Sequence, residues 1–257
     1  MNRTSTIDSA SNPRFRSWLR QIEGSRRLRD ADLTLVAGQK IVCEVLEHHP
    51  GVVRYVLVLR ASTLGELPEF PTHAEVVYLA PSLFREMDLF GTRSPLLLVA
   101  KTHPEPWEPA AAANGAWVGI PFQDPVNVGA VIRSAAALGA AGAVLLPGAS
   151  SPWHPKAIRA SAGAVFSVPL FRAEVLPATA EITVVALDAR GDDIRGYTFP
   201  ERFLLLAGVE GPGLPEDLAP TTTLALPMTD RVESLNAMVA TSLALYEWAR
   251  SSTTRSA

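Results

Sequence analysis

AWVGIPFQDPVNVGAVIRSAAALGAAGAVLLP, residues 116–147, is the stretch of sequence that decides the fold class. It begins with an apolar strand at 116–122, continues through a polar turn into a helix predicted over 129–139, and ends in a second apolar strand at 142–147. Strand, helix and strand in this order normally form a right-handed crossover between two parallel strands. The stretch therefore predicts an α/β domain built on a parallel sheet.

The same alternation of strands and helices extends in both directions along the chain. Downstream, helices are predicted at 155–163 and 233–250, and strands at 182–189, 202–211 and 222–227. Upstream, helices are predicted at 11–24, at 39–48 and from Pro81, and strands at 33–38, 53–60, 74–80 and 94–102.

The segment HPEPWEPAAAANG, residues 103–115, interrupts this alternation. It contains three prolines, an alanine run and an Asn-Gly pair, a composition typical of a connecting segment. The sequence therefore predicts a first α/β domain over 1–105, a linker over 106–115 and a second α/β domain over 116–257.

The composition bounds the class of protein. Hydrophobic residues make up 47% of the 257 residues and charged residues 19%, which predicts a soluble globular protein and excludes a disordered chain or a coiled coil. The single cysteine, Cys43, excludes an intrachain disulfide and a cysteine-rich zinc site, and it is interpreted as a small apolar residue of a helix. No secretory signal or long apolar run is visible, so we expect a cytoplasmic protein without a membrane anchor.

The charge is unevenly distributed. The formal net charge of −3, taken alone, argues against a protein that coats nucleic acid. Residues 1–29 nevertheless carry seven arginines and only two acidic residues. Such a segment indicates either a contact with a polyanion or simply a solvated helix face.

Three segments with glycine and turn residues follow predicted strands, where α/β sheets bind their ligands. In DPVNVGAVIRSA, residues 124–135, Asn127 is predicted to cap the helix, and Arg133 is suited to bind a phosphate. The alternative is an ordinary capped helix with a surface arginine.

The other two segments lie later in the chain. LLLAGVEGPGLP, residues 204–215, has its glycines in the wrong order for a dinucleotide-binding turn, which argues against an NAD-dependent oxidoreductase. Its Glu210 is either a buried carboxylate or a turn residue. In LALPMTDRVESLNAMVA, residues 224–240, Ser234 is predicted to cap the last helix and Asn236 to lie in its first turn; an ordinary capped helix is again the alternative.

Taken together and in order, four motifs resemble those of the SpoU (TrmH-like) family of RNA ribose methyltransferases, within the SPOUT superfamily. They are DPVNVGAVIRSA, KAIRASAGA, GVEGPGL and LPM…ESLNAMVA, and the resemblance covers about residues 116–250. The first 100 residues are similar to the small α/β substrate-binding domain, itself like certain ribosomal proteins, that many members carry.

The resemblance implies transfer of a methyl group from S-adenosylmethionine to a ribose 2′-OH of RNA, on a parallel sheet closed by a deep trefoil knot. By match to the motifs, the implied catalytic residues are Asn127, Arg133, Glu210, Ser234 and Asn236. The implied cofactor contacts, made mainly by backbone groups, fall on Leu206, Gly208, Leu226, Met228, Ser234 and Leu235.

The resemblance also assigns partners. The basic N-terminus is interpreted as contacting RNA through Arg14, Arg16, Arg20, Arg26, Arg27 and Arg29, with Lys156 and Arg159 as further phosphate contacts. A homodimer is implied, no metal is expected, and the separate N-terminal domain favours ribosomal RNA over transfer RNA as substrate. The alternatives are a tRNA ribose methyltransferase, an RNA base methyltransferase, or a non-catalytic RNA-binding or ribosome-assembly factor.

Overall fold

The computed structural model describes residues 2–23, 32–60, 67–175, 181–207, 220–229 and 231–255. Within them the strands and helices follow in the order β1 Thr4–Ile7, α1 Pro13–Glu23, β2 Leu33–Val36, α2 Gln39–His48, β3 Val53–Leu59, β4 Glu75–Leu79, α3 Pro81–Met87, β5 Leu96–Ala100, β6 Glu105–Pro106, β7 Gly115–Ile120, α4 Pro125–Ala137, β8 Gly142–Leu145, α5 Pro155–Ala160, β9 Leu170–Arg172, β10 Thr183–Asp193, β11 Arg202–Ala207, β12 Thr222–Ala225 and α6 Ala237–Arg255. None of the described helices is long and apolar enough to cross a membrane.

The chain divides into two compact units. The first is Met1–His103 together with Ser151–Phe166, and the second is Pro104–Ser150 together with Ser167–Ala257. The N-terminal boundary lies close to the predicted one. The segment 151–166 differs from the prediction, because it belongs to the first unit although it lies within the predicted second domain.

The first unit is a mixed α/β sheet with its core against α1 and α3. Its described strands are ordered β1-β4-β3-β5-β2, with β1, β3 and β4 parallel and β5 antiparallel to both β3 and β2. Helix α1 forms because Phe15, Trp18 and Ile22 recur at helical spacing, and all three are buried in this core. Strand β1 was not predicted, because TSTI buries only Ile7 and shows no apolar alternation.

The second unit carries the predicted parallel sheet. Its described strands are ordered β12-β10-β11-β7-β8-β9-β6, and every neighbouring pair is parallel. Residues predicted as a linker take part in this unit: β6 pairs with β9, and Trp107 is buried against Trp117 with ring centroids 5.7 Å apart. The segment therefore packs as part of the second unit, because its tryptophan fills the core.

Candidate active site

The parallel sheet of the second unit places the motif loops at one edge. The strand order reverses between β7 and β11. Strands β8 and β9 follow β7 on one side, whereas β11, β10 and β12 lie on its other side. Ligands of open α/β sheets bind beside the carboxyl ends of strands at such a point. Among the described residues, 121–124 follow β7 and 226–229 follow β12 at this edge, and they lead into or begin two of the four motifs.

A cavity of about 340 Å³ lies at this edge of the sheet. One wall is the end of β10, with Ala189, Gly191 and Asp193, and the other is the segment after β12. That segment contributes Leu226 and Met228, two of the predicted cofactor contacts. The remaining lining residues are Ala225, Pro227, Thr229 and Val232.

The other predicted cofactor contacts take different places. Leu206 is buried in the core of β11, and the described lining of the cavity includes neither Ser234 nor Leu235. Gly208 and the predicted catalytic Glu210 lie outside the described residues. The structure thus brings Leu226 and Met228 together at the cavity and leaves Ser234 exposed along the same segment.

The wall formed by β10 was not predicted as part of the site. Leu187 and Asp192 of β10 both pair with Leu224 of β12, so the four residues between them are an extra loop in the strand. A Cβ atom at Gly191 would lie 2.6 Å from the carbonyl oxygen of Thr223 and 2.7 Å from the main-chain nitrogen of Leu224. Glycine is therefore required here for the two backbones to approach. The signal in the sequence was DARGDDIR, which follows a strand and repeats Asp-x-Arg around a glycine.

Two aspartate–arginine pairs shape this loop. Asp188 Oδ1 accepts hydrogen bonds from the main-chain nitrogen (2.9 Å) and Nε (3.1 Å) of Arg190. Asp193 accepts in the same way from Arg195, with Nη2 2.6 Å from Oδ2. These side-chain hydrogen bonds hold the pKa of each carboxyl below its usual range. Both aspartates are ionised at neutral pH, and each is balanced by its own guanidinium.

The lining therefore suits an adenosine-containing cofactor of little net charge. Glycine, alanine and proline expose main-chain groups, while Leu226 and Met228 offer apolar contact. A ligand held mainly by backbone hydrogen bonds and apolar surface needs this kind of wall. S-adenosylmethionine fits the described lining on these grounds, and Leu226 and Met228 are the described residues predicted to hold it.

Helix α4 carries Asn127 and Arg133. The helix begins at Pro125, earlier than predicted, and its cap is Asp124, whose Oδ1 accepts the main-chain N–H of Val126 at 2.9 Å. The prediction that Asn127 caps the helix was wrong, because Asp124 stands one residue before the proline that opens the helix. Asn127 lies inside the first turn, half-buried.

Arg133 lies on the exposed face of α4. The buried face consists of Val128, Gly129, Val131, Ile132 and Ala135. Six residues of helix place Arg133 about 9 Å along the axis from Asn127 and on a different face. Helical side chains generally lean toward the N-terminus of their helix, which for α4 is the end at the sheet edge where β7 ends. Within the described part of the chain no salt bridge engages Arg133, and its side chain is exposed to solvent.

Helix α6 begins with Asn236 and packs beside α4. Oδ1 of Asn236 accepts the main-chain N–H groups of Met238 (2.9 Å) and Val239 (3.4 Å), so Asn236 is the cap. The prediction that Ser234 caps this helix was wrong, because the helix begins three residues after it. Ser134 Oγ and Ser242 Oγ lie 2.8 Å apart and join α4 to α6.

The predicted RNA contacts all belong to the first unit, and Arg14 is already occupied. Its guanidinium forms two hydrogen bonds to the carboxylate of Glu75 (3.0 and 3.2 Å) and lies 5.2 Å from the ring centroid of Trp18. Arg16, Arg20, Lys156 and Arg159 are exposed or partly exposed, while Arg26, Arg27 and Arg29 lie outside the described residues. The structure therefore gives Arg14 a role in holding α1 to β4.

We predict that Arg14→Ala lowers the free energy of unfolding by about 1 kcal/mol and leaves RNA affinity unchanged. Burial raises the pKa of the Glu75 carboxyl, but hydrogen bonds from Ser5 and Arg14 and the guanidinium charge together lower it below its usual range. The pair therefore stabilises the unit at neutral pH, and this contribution is lost as the pH falls through the folded-state pKa.

Chemical denaturation at neutral and acidic pH, with RNA binding measured in parallel, checks this prediction. Arg16→Ala is the control for stability, since the Arg16 side chain is exposed and its Nε donates a hydrogen bond to Ala10 O (3.2 Å). A loss of RNA affinity in Arg14→Ala with unchanged stability would contradict the assignment.

Known proteins of one family are similar to this chain. The model of the SpoU rRNA Methylase family matches residues 118–246. A protein of Syntrophobacter fumaroxidans named ribosomal RNA small subunit methyltransferase G 2 is 41% identical over 247 residues, 95% of this chain and 49% of the relative. The chain thus spans about half the length of that relative.

Two further relatives match over nearly their whole length. The 23S rRNA (uridine(2479)-2′-O)-methyltransferase of Streptomyces viridochromogenes is 28% identical, covering 94% of this chain and 91% of its own. The crystal structure of the SpoU methyltransferase AviRb from the same organism, in complex with AdoMet, superimposes with a TM-score of 0.76 and 26% identity over 94% of this chain and 98% of AviRb.

The fold, the cavity and these matches define the class as RNA methyltransferases of the α/β type. Within that class, the chain belongs to the SpoU rRNA methylase family. The resemblance inferred from the four motifs is confirmed.

Proposed function

We propose that this chain transfers a methyl group from S-adenosylmethionine to a ribose 2′-OH of ribosomal RNA. The observation that carries the proposal is a cavity lined by backbone and apolar groups at the carboxyl edge of the parallel sheet, on the unit that bears the open guanidinium of Arg133. The Streptomyces relative is named as a 2′-O-methyltransferase, which supports the reaction, and AviRb was crystallised in complex with AdoMet, which supports the methyl donor.

Bound S-adenosylmethionine would supply the methyl group of its sulfonium to the ribose 2′ oxygen, and S-adenosylhomocysteine would leave. The 2′-OH would lose its proton to solvent near the transition state, so negative charge would develop on that oxygen. Arg133 stabilises this charge and binds the adjacent phosphate, because a guanidinium holds its proton and presents a planar fork of donors. Asn127 and Asn236 orient the ribose and the guanidinium from the N-terminal ends of their helices.

The finer architecture belongs to the proposal. We infer from the resemblance to the family that the segment after β12 passes through the chain as a trefoil knot. Catalytic roles for Glu210 and Ser234 and a cofactor contact by Gly208 remain predictions, as do a cytoplasmic location and the absence of a metal.

The test is methylation of purified ribosomal RNA with methyl-tritiated S-adenosylmethionine, followed by alkaline hydrolysis. A 2′-O-methyl ribose blocks cleavage at its 3′ phosphate, so the label is expected in dinucleotides. Label in mononucleotides would identify a base methyltransferase, and RNA binding without label would identify a non-catalytic factor. Labelling of transfer RNA in preference to ribosomal RNA would overturn the substrate assignment.

We propose that two copies of the chain form a homodimer in which α6 provides the interface. Val239, Leu243 and Tyr246 recur at helical spacing and are 37%, 44% and 57% exposed, a continuous apolar stripe. Trp248 of the same helix is not part of this stripe, because it packs within its own unit, with its ring centroid 6.1 Å from that of Phe203. A second copy of the chain would cover the stripe by an isologous contact.

We predict that Leu243→Glu shifts the protein from dimer to monomer, because it places a charge in the centre of the apolar stripe. Sedimentation or light scattering measures the change. Val175→Glu is the control, since Val175 is 74% exposed on the second unit and lies outside α6. A dimer that persists in Leu243→Glu would contradict the interface.

A further inference from the structure

The loop after α3 holds an arginine in an unusual backbone conformation. Arg93 has a φ of 56°, in the left-handed region that favours glycine. The loop is held by Asp88, which is 9% exposed and accepts hydrogen bonds from the main-chain nitrogen of Arg93 (2.8 Å) and from Thr92 Oγ1 (3.1 Å). A buried carboxylate is thus used to fix the loop.

No contact of the Arg93 side chain among the described residues offsets the strain in its backbone. Glycine would adopt the same conformation without steric cost, so an arginine here is retained against local stability. Its side chain is exposed, and among the described residues no salt bridge engages it. The neighbouring Leu89 is 48% exposed, which adds an apolar group to the same loop. The loop therefore presents a cation and an apolar side chain to solvent.

Helix α5 brings two more cations to this loop. The guanidinium carbon of Arg159 lies 4.6 Å from the ring centroid of Phe90, within the loop. Lys156 is one helical turn earlier, and both side chains are exposed. A guanidinium stacked on a ring keeps its outer face and its N–H edges free for a phosphate or a base.

The acidic residues of these two segments offset little of the charge. The segment 151–166 contains none. On the other side, Asp88 is occupied by the loop itself, and Glu86 is the exposed acid of α3. Glu44 of α2 lies beside Gly163, past the end of α5. These segments thus carry the exposed cations Arg93, Lys156 and Arg159, with Arg85 of α3 as a fourth, against two exposed carboxylates, Glu86 and Glu44.

We propose that Arg93, Lys156 and Arg159 form a docking surface for RNA phosphates on the first unit, here named the loop–α5 surface. This deepens the proposed function and rests on it, because the surface would bind the RNA that is methylated. The strained arginine and the stacked guanidinium suit a backbone of regularly spaced phosphates with unstacked bases.

The experiment is a titration of a labelled RNA stem-loop over a series of salt concentrations. Arg93→Gly removes the cation and relieves the strain, so we expect an affinity about 3–10-fold lower and a salt slope smaller by about 0.7–0.9. Its melting temperature should be equal to or above that of the unsubstituted protein. Arg159→Ala and Lys156→Ala should weaken binding similarly.

Arg54→Ala is the matched control. Arg54 is an exposed arginine of the same unit and lies near the beginning of β3. The loop after α3 leads into Leu96, which pairs with Leu57 toward the other end of β3. Affinity and salt slope should not change in this variant. Equal losses in Arg54→Ala and Arg93→Gly, or unchanged binding in Arg93→Gly, would overturn the loop–α5 surface.

A separate readout distinguishes this failure from failure of the proposed function. Methyl transfer to ribosomal RNA is measured for the unsubstituted protein. If it methylates RNA while Arg93→Gly, Lys156→Ala and Arg159→Ala bind the stem-loop normally, only the surface is wrong. If it neither methylates nor binds RNA, the proposed function and the surface fall together.

Discussion

Arg133→Ala is expected to reduce the rate of methyl transfer by about 100- to 1,000-fold, the usual cost of removing one group that stabilises a developing oxyanion. The reason is that Arg133 is the exposed cation of α4, the helix that begins at the sheet edge where β7 ends. The measurement is single-turnover transfer from labelled S-adenosylmethionine to ribosomal RNA. The same variant should bind the cofactor normally by calorimetry, because Arg133 is not among the described residues that line the cavity.

Two further variants make this prediction specific. Arg133→Lys keeps the charge but loses the planar fork, so it should recover only part of the rate. Arg172→Ala is the control, since Arg172 lies on β9 and pairs with Glu174. Transfer by Arg133→Ala at nearly the unsubstituted rate would remove Arg133 from the mechanism.

Gly191→Ala is expected to destabilise the second unit by about 2–3 kcal/mol, because the added carbon meets main-chain atoms that cannot move aside cheaply. Its Cβ would lie 2.6 Å from the carbonyl oxygen of Thr223 and 2.7 Å from two main-chain atoms of Leu224. Relief of this clash would push β10 away from β12 and so change the width of the cavity between them. Cofactor affinity should therefore fall as well.

Thermal denaturation with and without S-adenosylmethionine measures both effects, since a ligand that binds only the folded state raises its stability. Gly51→Ala is the control, because nothing lies within 4 Å of a Cβ at Gly51 and its backbone is not left-handed. The contrary result is that Gly191→Ala matches Gly51→Ala both in stability and in the rise of melting temperature produced by the cofactor. That result would show that the close approach of the β10 and β12 backbones at Gly191 does not affect stability or cofactor binding.

The elements with a regular apolar period were predicted well from sequence. The bounds of α2, 39–48, agree with the structure, and the parallel sheet of the second unit follows from its strand–helix–strand pattern. Short elements whose pairing depends on distant partners were missed. Strand β1 exists because it pairs with β4, some 70 residues later, and four residues hold no sign of that partner.

The candidate site was predicted only where a motif carries it. Leu226 and Met228 came from the resemblance and line the cavity, whereas the β10 wall around Gly191 was missed because its role depends on contact with β12. The cap positions were misplaced because Asp, Asn and Ser compete at helix starts, and local spacing alone does not choose among them. The ion pair of Arg14 was not predicted because its partner, Glu75, lies 61 residues away.

The membership of residues 151–166 in the first unit has a consequence for how the protein is made. Thr34 Oγ1 of β2 donates to the carbonyl oxygen of Trp153, 119 residues further along the chain, and this hydrogen bond is buried. During synthesis on the ribosome, the first unit cannot be completed when residue 103 emerges. It must wait, partly formed, until the β7–α4–β8 crossover of the other unit has also been translated. Neither unit can be separated as one continuous gene fragment, so a functional exchange between relatives would have to move two stretches of coding sequence together.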